Sequence, residues 1–273
     1  MATPWRVVVL TASPQVAQGY GEIVRACGHE TVAVIVPRRS AANAQSHVVD
    51  GPAGADVCFP ETKASLSRLL RAYGADLGLC TGFPWLVPPD ALEAPRLGIV
   101  NGHPSLLPRY RGPFPIAWAV RNGESEIGMS YHLMDDAFDT GNLLAQKRVP
   151  LADDETEATL IPKLAAAAGE LLPVVFDRLA RGDRGDSQEG GDYQPASALD
   201  DYVHVDLTRP AADVHRQVRA WSFVPPVSPA RGPIHDGRRL LVTSLTSVPG
   251  AERLECADGP LWVVASEPVQ PTQ

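Results

Sequence analysis

Where an apolar run ends in the stretch Gly98 to Gly112, GIVNGHPSLLPRYRG, an amide and an imidazole stand two residues apart at Asn101 and His103. While the chain stays extended, side chains at i and i+2 project to the same side. Both groups then face one point at the carboxyl end of a strand, where open α/β sheets hold their ligands. Gly102 between them allows a ligand or a second backbone to come close. The alternative is a polar turn, since Asn and Gly are ordinary turn formers before a residue such as Pro104. A second polar run, MDDAFDTGN from Met134 to Asn142, carries Asp139 in an Asp-Thr-Gly sequence. Read alone it is an Asx-type turn. It links two strand-like segments beside the one bearing Asn101 and His103, so its carboxylate can reach the same crevice. Amide, imidazole and carboxylate are the groups of hydrogen-bond donation and proton transfer.

Other chemistries find little support. The first strand is followed by Thr11, Ala12, Ser13 and Pro14, so no GxGxxG fingerprint is present, and neither GxxxxGK[ST] nor GxSxG occurs. The histidines His29, His47, His103, His132, His204, His215 and His235 show no HExxH or HxH spacing. A metal site from His132 with Asp135 and Asp136 is conceivable, against the plainer reading of a strand-edge imidazole beside a polar turn. Cys27, Cys58, Cys80 and Cys256 are scattered, which fits neither a disulfide framework nor a zinc site and suits a reducing cytoplasm.

The elements that must position these groups follow from hydrophobic patterning. Val7–Leu10, Thr31–Val36, Ala55–Phe59, Ala75–Thr81 and Leu97–Asn101 read as strands. Helices over residues 14–27 and around Leu66–Tyr73 alternate with them, which is the pattern of an α/β domain. Strands over Ile127–Met134 and Leu143–Val149 follow. The next helix is led by Asp153, Asp154, Glu155 and Glu157, with Leu160, Leu164, Ala168, Leu171, Val175 and Leu179 as its buried stripe. Pro162 and Pro173 should mark its start or kink it. We expect a catalytic domain over residues 1–181, a Gly-, Asp- and Ser-rich linker over 182–198, and a small β-rich module of barrel type over 199–273 that includes a helix over 210–221. The 273 residues are 44% hydrophobic and 21% charged, in the globular range. The run Val7–Leu10 is too short for a signal-peptide core, and no stretch is expected to reach the ~18 apolar residues of a membrane span.

The run NGHPSLLPRYRGPFPIAWAVRNGESEIGMSYHLMDDAFDTGNLLAQKRVPL resembles the signature block of the folate-dependent formyltransferases. The likeness extends more weakly through residues 75–180, and the tail, with VRAWSFVPP and DGRRLLV, resembles the small carboxyl-terminal module of the methionyl-tRNA group. The resemblance implies a Rossmann-like, open, mostly parallel sheet followed by an OB-like module. It implies 10-formyltetrahydrofolate as formyl donor, with no metal. It places the catalytic trio on Asn101, His103 and Asp139. Formyl transfer to an amine develops an oxyanion, which the Asn101 amide and a protonated His103 can stabilise, while Asp139 holds the imidazole charged and relays a proton. By the same resemblance Trp85, Leu86 and Val87, with Asp135, Asp136, Ala137 and Phe138, line the folate site, and Arg109 and Arg111 meet an anionic substrate or glutamyl tail.

Charge bears on the acceptor. The net charge is −8, and after Arg38 and Arg39 no Lys or Arg occurs until Lys63. From residue 200 onward seven arginines face nine carboxylates. A track for tRNA phosphates is not expected to be acidic. The sequence therefore favours a small-molecule amine, such as an amino sugar nucleotide or a hydroxylated ornithine, with methionyl-tRNA as the alternative. Hydrolysis of the folate, or folate binding without turnover, are further readings. Nothing in the sequence sets the oligomeric state.

Overall fold

The computed structural model describes residues 3–38, 51, 52, 54–224 and 232–269. Arg39, named above for its charge, lies outside them.

The strands are β1 (Arg6–Thr11), β2 (Glu30–Ile35), β3 (Asp56–Cys58), β4 (Leu77–Thr81), β5 (Ile99–His103), β6 (Glu126–Leu133) and β7 (Leu143–Pro150). They form one sheet in the order β3-β2-β1-β4-β5-β6-β7. The pairs from β3 to β5 are parallel, and β6 turns antiparallel to β5. Strands covered on both faces must be apolar throughout; Val7–Leu10 and Val32–Ile35 are accordingly buried. Helices α1 (Pro14–Ala26), α2 (Leu66–Ala72), α3 (Pro89–Leu92) and α4 (Pro115–Arg121) alternate with the strands, and the long α5 (Glu157–Ala180) follows β7. The mostly parallel α/β architecture is as expected.

The structure bears on two expectations about α5. It runs as one helix from Glu157 through Pro162 and Pro173, so neither proline marks its start. Each removes one backbone donor, and the buried stripe of Leu160, Leu164, Leu172, Val175 and Leu179 outweighs that loss. The helix is also long and apolar enough, by length and composition alone, to cross a membrane. Alanines between the larger residues raise its mean hydropathy, and one face is buried in the core.

Contacts divide the chain into two compact units. The first comprises Met1–Arg109, Gly128–Lys147 and Leu164–Gly191; the second comprises Tyr110–Ile127, Arg148–Lys163 and Asp192–Gln273. In the second unit, β8 (Ile234–His235), β9 (Arg238–Ser244), β10 (Glu252–Cys256) and β11 (Gly259–Pro268) form an antiparallel sheet in the order β10-β11-β9-β8. Helix α6 (Ala211–Trp221) closes its core through Val214 and Val218 against Leu240, Leu254, Leu261 and Val263. This is the small β module expected at the carboxyl end.

Candidate active site

Strand β5 is apolar at Ile99 and Val100 and becomes polar at Asn101, which is half-buried, while Gly102 and His103 after it are buried. Its antiparallel neighbour sets Asn101 opposite His132 and His103 opposite Ser130. The loop after β6 returns Asp139 to the same place, and four side chains of the first unit meet there. Asn101 Nδ2 donates to Asp139 Oδ1 at 3.2 Å and lies 3.2 Å from His132 Nε2. His103 Nδ1 lies 3.6 Å and His132 Nε2 3.4 Å from that same Oδ1. Asp139, His103 and His132 are all buried.

The chemistry of these partners fixes orientations. His132 Nδ1 sits 2.9 Å from the Leu133 carbonyl, which can only accept, so Nδ1 carries a hydrogen, while Nε2 faces both the Asn101 amide and Asp139 Oδ1. The Asn101 amide must present its nitrogen here, because its oxygen would face the Asp139 carboxylate.

The Met134–Asn142 loop holds Asp139 through its own hydrogen bonds. Asp135 Oδ1 accepts from Thr140 Oγ1 at 2.7 Å and from the Ala137 N–H at 3.3 Å. Asp139 adopts φ 59°, a left-handed conformation for which Asp is better suited than most residues. A Cβ on Gly141 would fall on the Leu133 carbonyl oxygen, so only glycine fits where the loop passes the end of β6. Gln188 Nε2 donates to the carbonyls of Asp139 at 3.0 Å and Gly141 at 2.6 Å.

Gly102 has a different role from the one expected. A Cβ there would lie 2.8 Å from Met129 Cε and 3.0 Å from both a Tyr131 ring carbon and the Tyr20 hydroxyl. The space is taken by core side chains on the face opposite Asn101 and His103, not kept for a ligand. Cys80, on neighbouring β4, is a bystander. Burial and the Asp139 charge push its thiol up to about 12, so it stays protonated.

The residues expected around the folate occupy the first unit. Trp85 and Leu86 are half-buried, whereas Val87 is a core side chain, leaving only its backbone for a ligand. Asp136, Ala137 and Phe138 are exposed, and Asp135 is half-buried with one oxygen engaged in its loop. Phe83 meets Trp85 edge-on at 5.5 Å, and both pack with Met134 against the cluster containing Cys80, Val87 and Ile99. Arg109 is an exposed side chain of the first unit; Arg111 is half-buried in the second, where its carbonyl accepts from Gln194 N–H at 2.8 Å.

His132, which sequence reasoning weighed only as a metal ligand with Asp135 and Asp136, joins the site, as do Gln188 and Phe83, which it did not assign. His132 becomes visible only through the β5–β6 register. Gln188 lies in the stretch that composition marks as a linker. Phe83 was within reach, as part of the aromatic pair in the run TGFPW.

Residues 6–176 match the family described as formyl transferase. A methionyl-tRNA formyltransferase from Synechococcus sp. is 34% identical over 81% of this chain and 65% of its own length. One from Myxococcus xanthus is 35% identical over 73% of this chain and 67% of its own length. The chain thus spans about two thirds of these relatives. Among solved structures, HypX from Aquifex aeolicus in complex with tetrahydrofolic acid superposes with a TM-score of 0.70 over 98% of this chain and 45% of that one, at 17% identity, a likeness of fold.

Proposed function

The chain belongs to the formyl transferase family, and from that premise we propose that it carries a formyl group from 10-formyltetrahydrofolate to the amine of an aminoacyl-tRNA in the cytoplasm. The observation that carries the chemistry is the meeting of Asn101, His103 and His132 on one oxygen of Asp139. When bound, the folate supplies an activated formyl carbon on a nitrogen that can leave. Its flat heteroaromatic body suits the half-buried Trp85 with Phe83 at its edge, and the exposed Phe138, with backbone groups of residues 85–87 and 135–138 as polar partners.

Each group has a distinct task. Asp139 orients His103 through Nδ1 and supplies the counter-charge that an imidazolium needs. His103 is the donor toward the oxygen that gains charge, and Asp139 takes part in removing the proton of the attacking amine. Asn101 donates to that oxygen as well, which requires a substrate oxygen to displace one of its present acceptors. The contact with His132 gives way before the bond to Asp139, since hydrogen bonds to a carboxylate are roughly twice as strong.

The methionyl-tRNA relatives support tRNA as the acceptor, the reading that acidity had put second. Net charge sums over a whole surface and does not exclude a local basic area. The second reading, a small amine such as an amino sugar nucleotide or hydroxyornithine, is favoured by the tail's seven arginines against nine carboxylates. Tetrahydrofolate release tests both, with methionyl-tRNA, amino sugar nucleotides and hydroxyornithine offered separately. Release with methionyl-tRNA alone supports the first reading, and release with a small amine alone replaces it. Release without any amine indicates hydrolysis, and none under any condition leaves a folate-binding protein.

A further inference from the structure

One cluster in the second unit holds buried donors and positive charge that the carboxylate beside it does not balance. Arg121, in the last turn of α4, is only 7% exposed, and its guanidinium lies 4.5 Å from the centre of the Tyr202 ring. Its Nε has no hydrogen-bond partner, and among the described residues it forms no ion pair. Trp118, one turn earlier, meets the same ring edge-on at 5.7 Å, and its Nε1 is also buried without an acceptor. Arg216 of α6 lies over Gly123, where a Cβ would come within 3.2 Å of its Cδ and 3.3 Å of its Nε, and that Nε is a third buried donor without a partner. Arg209 and Arg216 share a single carboxylate, Asp213.

Three guanidiniums with one carboxylate leave two positive charges in a chain whose net charge is −8. Buried donors without acceptors are rare, and a buried charge without a counter-charge is costly. Burial, together with the charges of Arg209 and Arg216, pulls the Arg121 pKa down, as crowding of like charges requires. An anion removes the imbalance. The side chains of Arg216 and Arg209, 31% and 41% exposed, connect the cluster to solvent. Guanidinium forks match the oxygens of a phosphoryl group better than a point charge does.

We propose that Arg121, Arg209 and Arg216 form a binding site for a phosphoryl group, with Arg121 as its stacked anchor. The proposal deepens the acyl-acceptor reading above and rests on it for the ligand's origin, because both a tRNA backbone and a phosphorylated small acceptor carry this group. The binding itself does not depend on that reading.

The test uses inorganic pyrophosphate as the probe, titrated into the full chain at constant ionic strength and followed by calorimetry and by thermal unfolding. Wild type should bind and gain melting temperature. Arg121→Met and Arg216→Gln should each bind ~10-fold more weakly, the loss of one charged hydrogen bond. Should Arg121→Met not fold, Arg216→Gln, at the solvent edge, carries the comparison. Separate titrations with a nucleoside diphosphate and with an RNA hairpin identify the source, and weakening of either by the substitutions supports the site. No binding by wild type, or equal binding by wild type and Arg216→Gln, overturns it. A protein that binds pyrophosphate through these arginines but releases no tetrahydrofolate with any acceptor keeps the site and loses the transferase reading.

Discussion

Asp139 Oδ1 is the single atom that Asn101, His103 and His132 share, so its charge organises the other three. Asp139→Asn keeps the side-chain shape but removes that charge and brings an NH2 toward groups that need an acceptor. Formyl transfer should fall ~100- to 1,000-fold, the loss seen when one preorganised charge-stabilising contact is removed. Folate affinity should stay within severalfold, because the expected folate contacts lie on other residues. Tetrahydrofolate release and an equilibrium folate titration measure the two effects, and unchanged turnover would remove the carboxylate from the mechanism. Cys80 gives a second, independent reading of the same surroundings. Its folded pKa of about 12 stands above the ordinary 9.0, so the unfolded chain loses this proton more easily. The stabilisation is whole below pH 9 and is lost as pH rises from 9 toward 12, by at most ~1.4 kcal/mol per pH unit. Tyr20 and Tyr131, raised mainly by burial, add to the same trend at higher pH. Urea unfolding between pH 8 and 10.5 should show a shallower alkaline decline in Cys80→Ala than in wild type; parallel declines would mean that the thiol ionises freely in the fold.

At the scale of elements, the Met134–Asn142 loop delivers the carboxylate, and it depends on one close contact at its own base and on one side chain remote in sequence. Gly141→Ala sets a methyl group on the Leu133 carbonyl oxygen, so the loop must move. Turnover should drop at least ~100-fold while the far-ultraviolet circular dichroism is unchanged, because the displaced backbone is a loop and not a strand. Gln188→Ala removes two hydrogen bonds from the loop carbonyls, each contributing about 1 kcal/mol, so a loss of up to ~30-fold in kcat is expected with little change in KM for the folate. A variant with wild-type kcat would show that the loop holds itself. The difference in legibility between these two residues is physical. The strands could be read because buried parallel strands have to be continuous apolar runs, and the Asp-Thr-Gly turn could be read from its residue types. Gln188 sits among Gly, Asp and Ser with no apolar period, and its segment is held by backbone pairing of Asp186 with Leu143 and by Arg178 bonds to Asp183, Asp186 and the Leu144 carbonyl. Composition registers none of those bonds. His132 was likewise hidden, because an antiparallel neighbour in an otherwise parallel sheet changes which residues face one another.

For the whole molecule, the second unit draws on three stretches of sequence, two of which interrupt the first unit's chain. Cutting after residue 181, the boundary that composition suggests, would therefore not release a self-sufficient amino-terminal part. Trp118 and Arg121 would lose Tyr202, the ring against which both pack, and the Arg111 carbonyl would lose the Gln194 N–H. An indole that is 6% exposed in the intact chain would face water on α4. Exposing one large aromatic side chain costs about 2 to 3 kcal/mol, and an uncovered guanidinium no longer shields its neighbours. For a chain of this length each kcal/mol corresponds to roughly 2 to 4 °C of melting temperature, so residues 1–181 should melt at least ~5 °C below the full chain and bind more of a hydrophobic dye. The reason lies in how the units are threaded: the stretch 110–127 that holds α4 belongs with Tyr202 to the second unit, although the chain on both sides of that stretch belongs to the first. If residues 1–181 melted with the full chain and bound folate equally well, α4 would be a passenger whose apolar face needs no cover, and the contacts to Tyr202 would carry no stability.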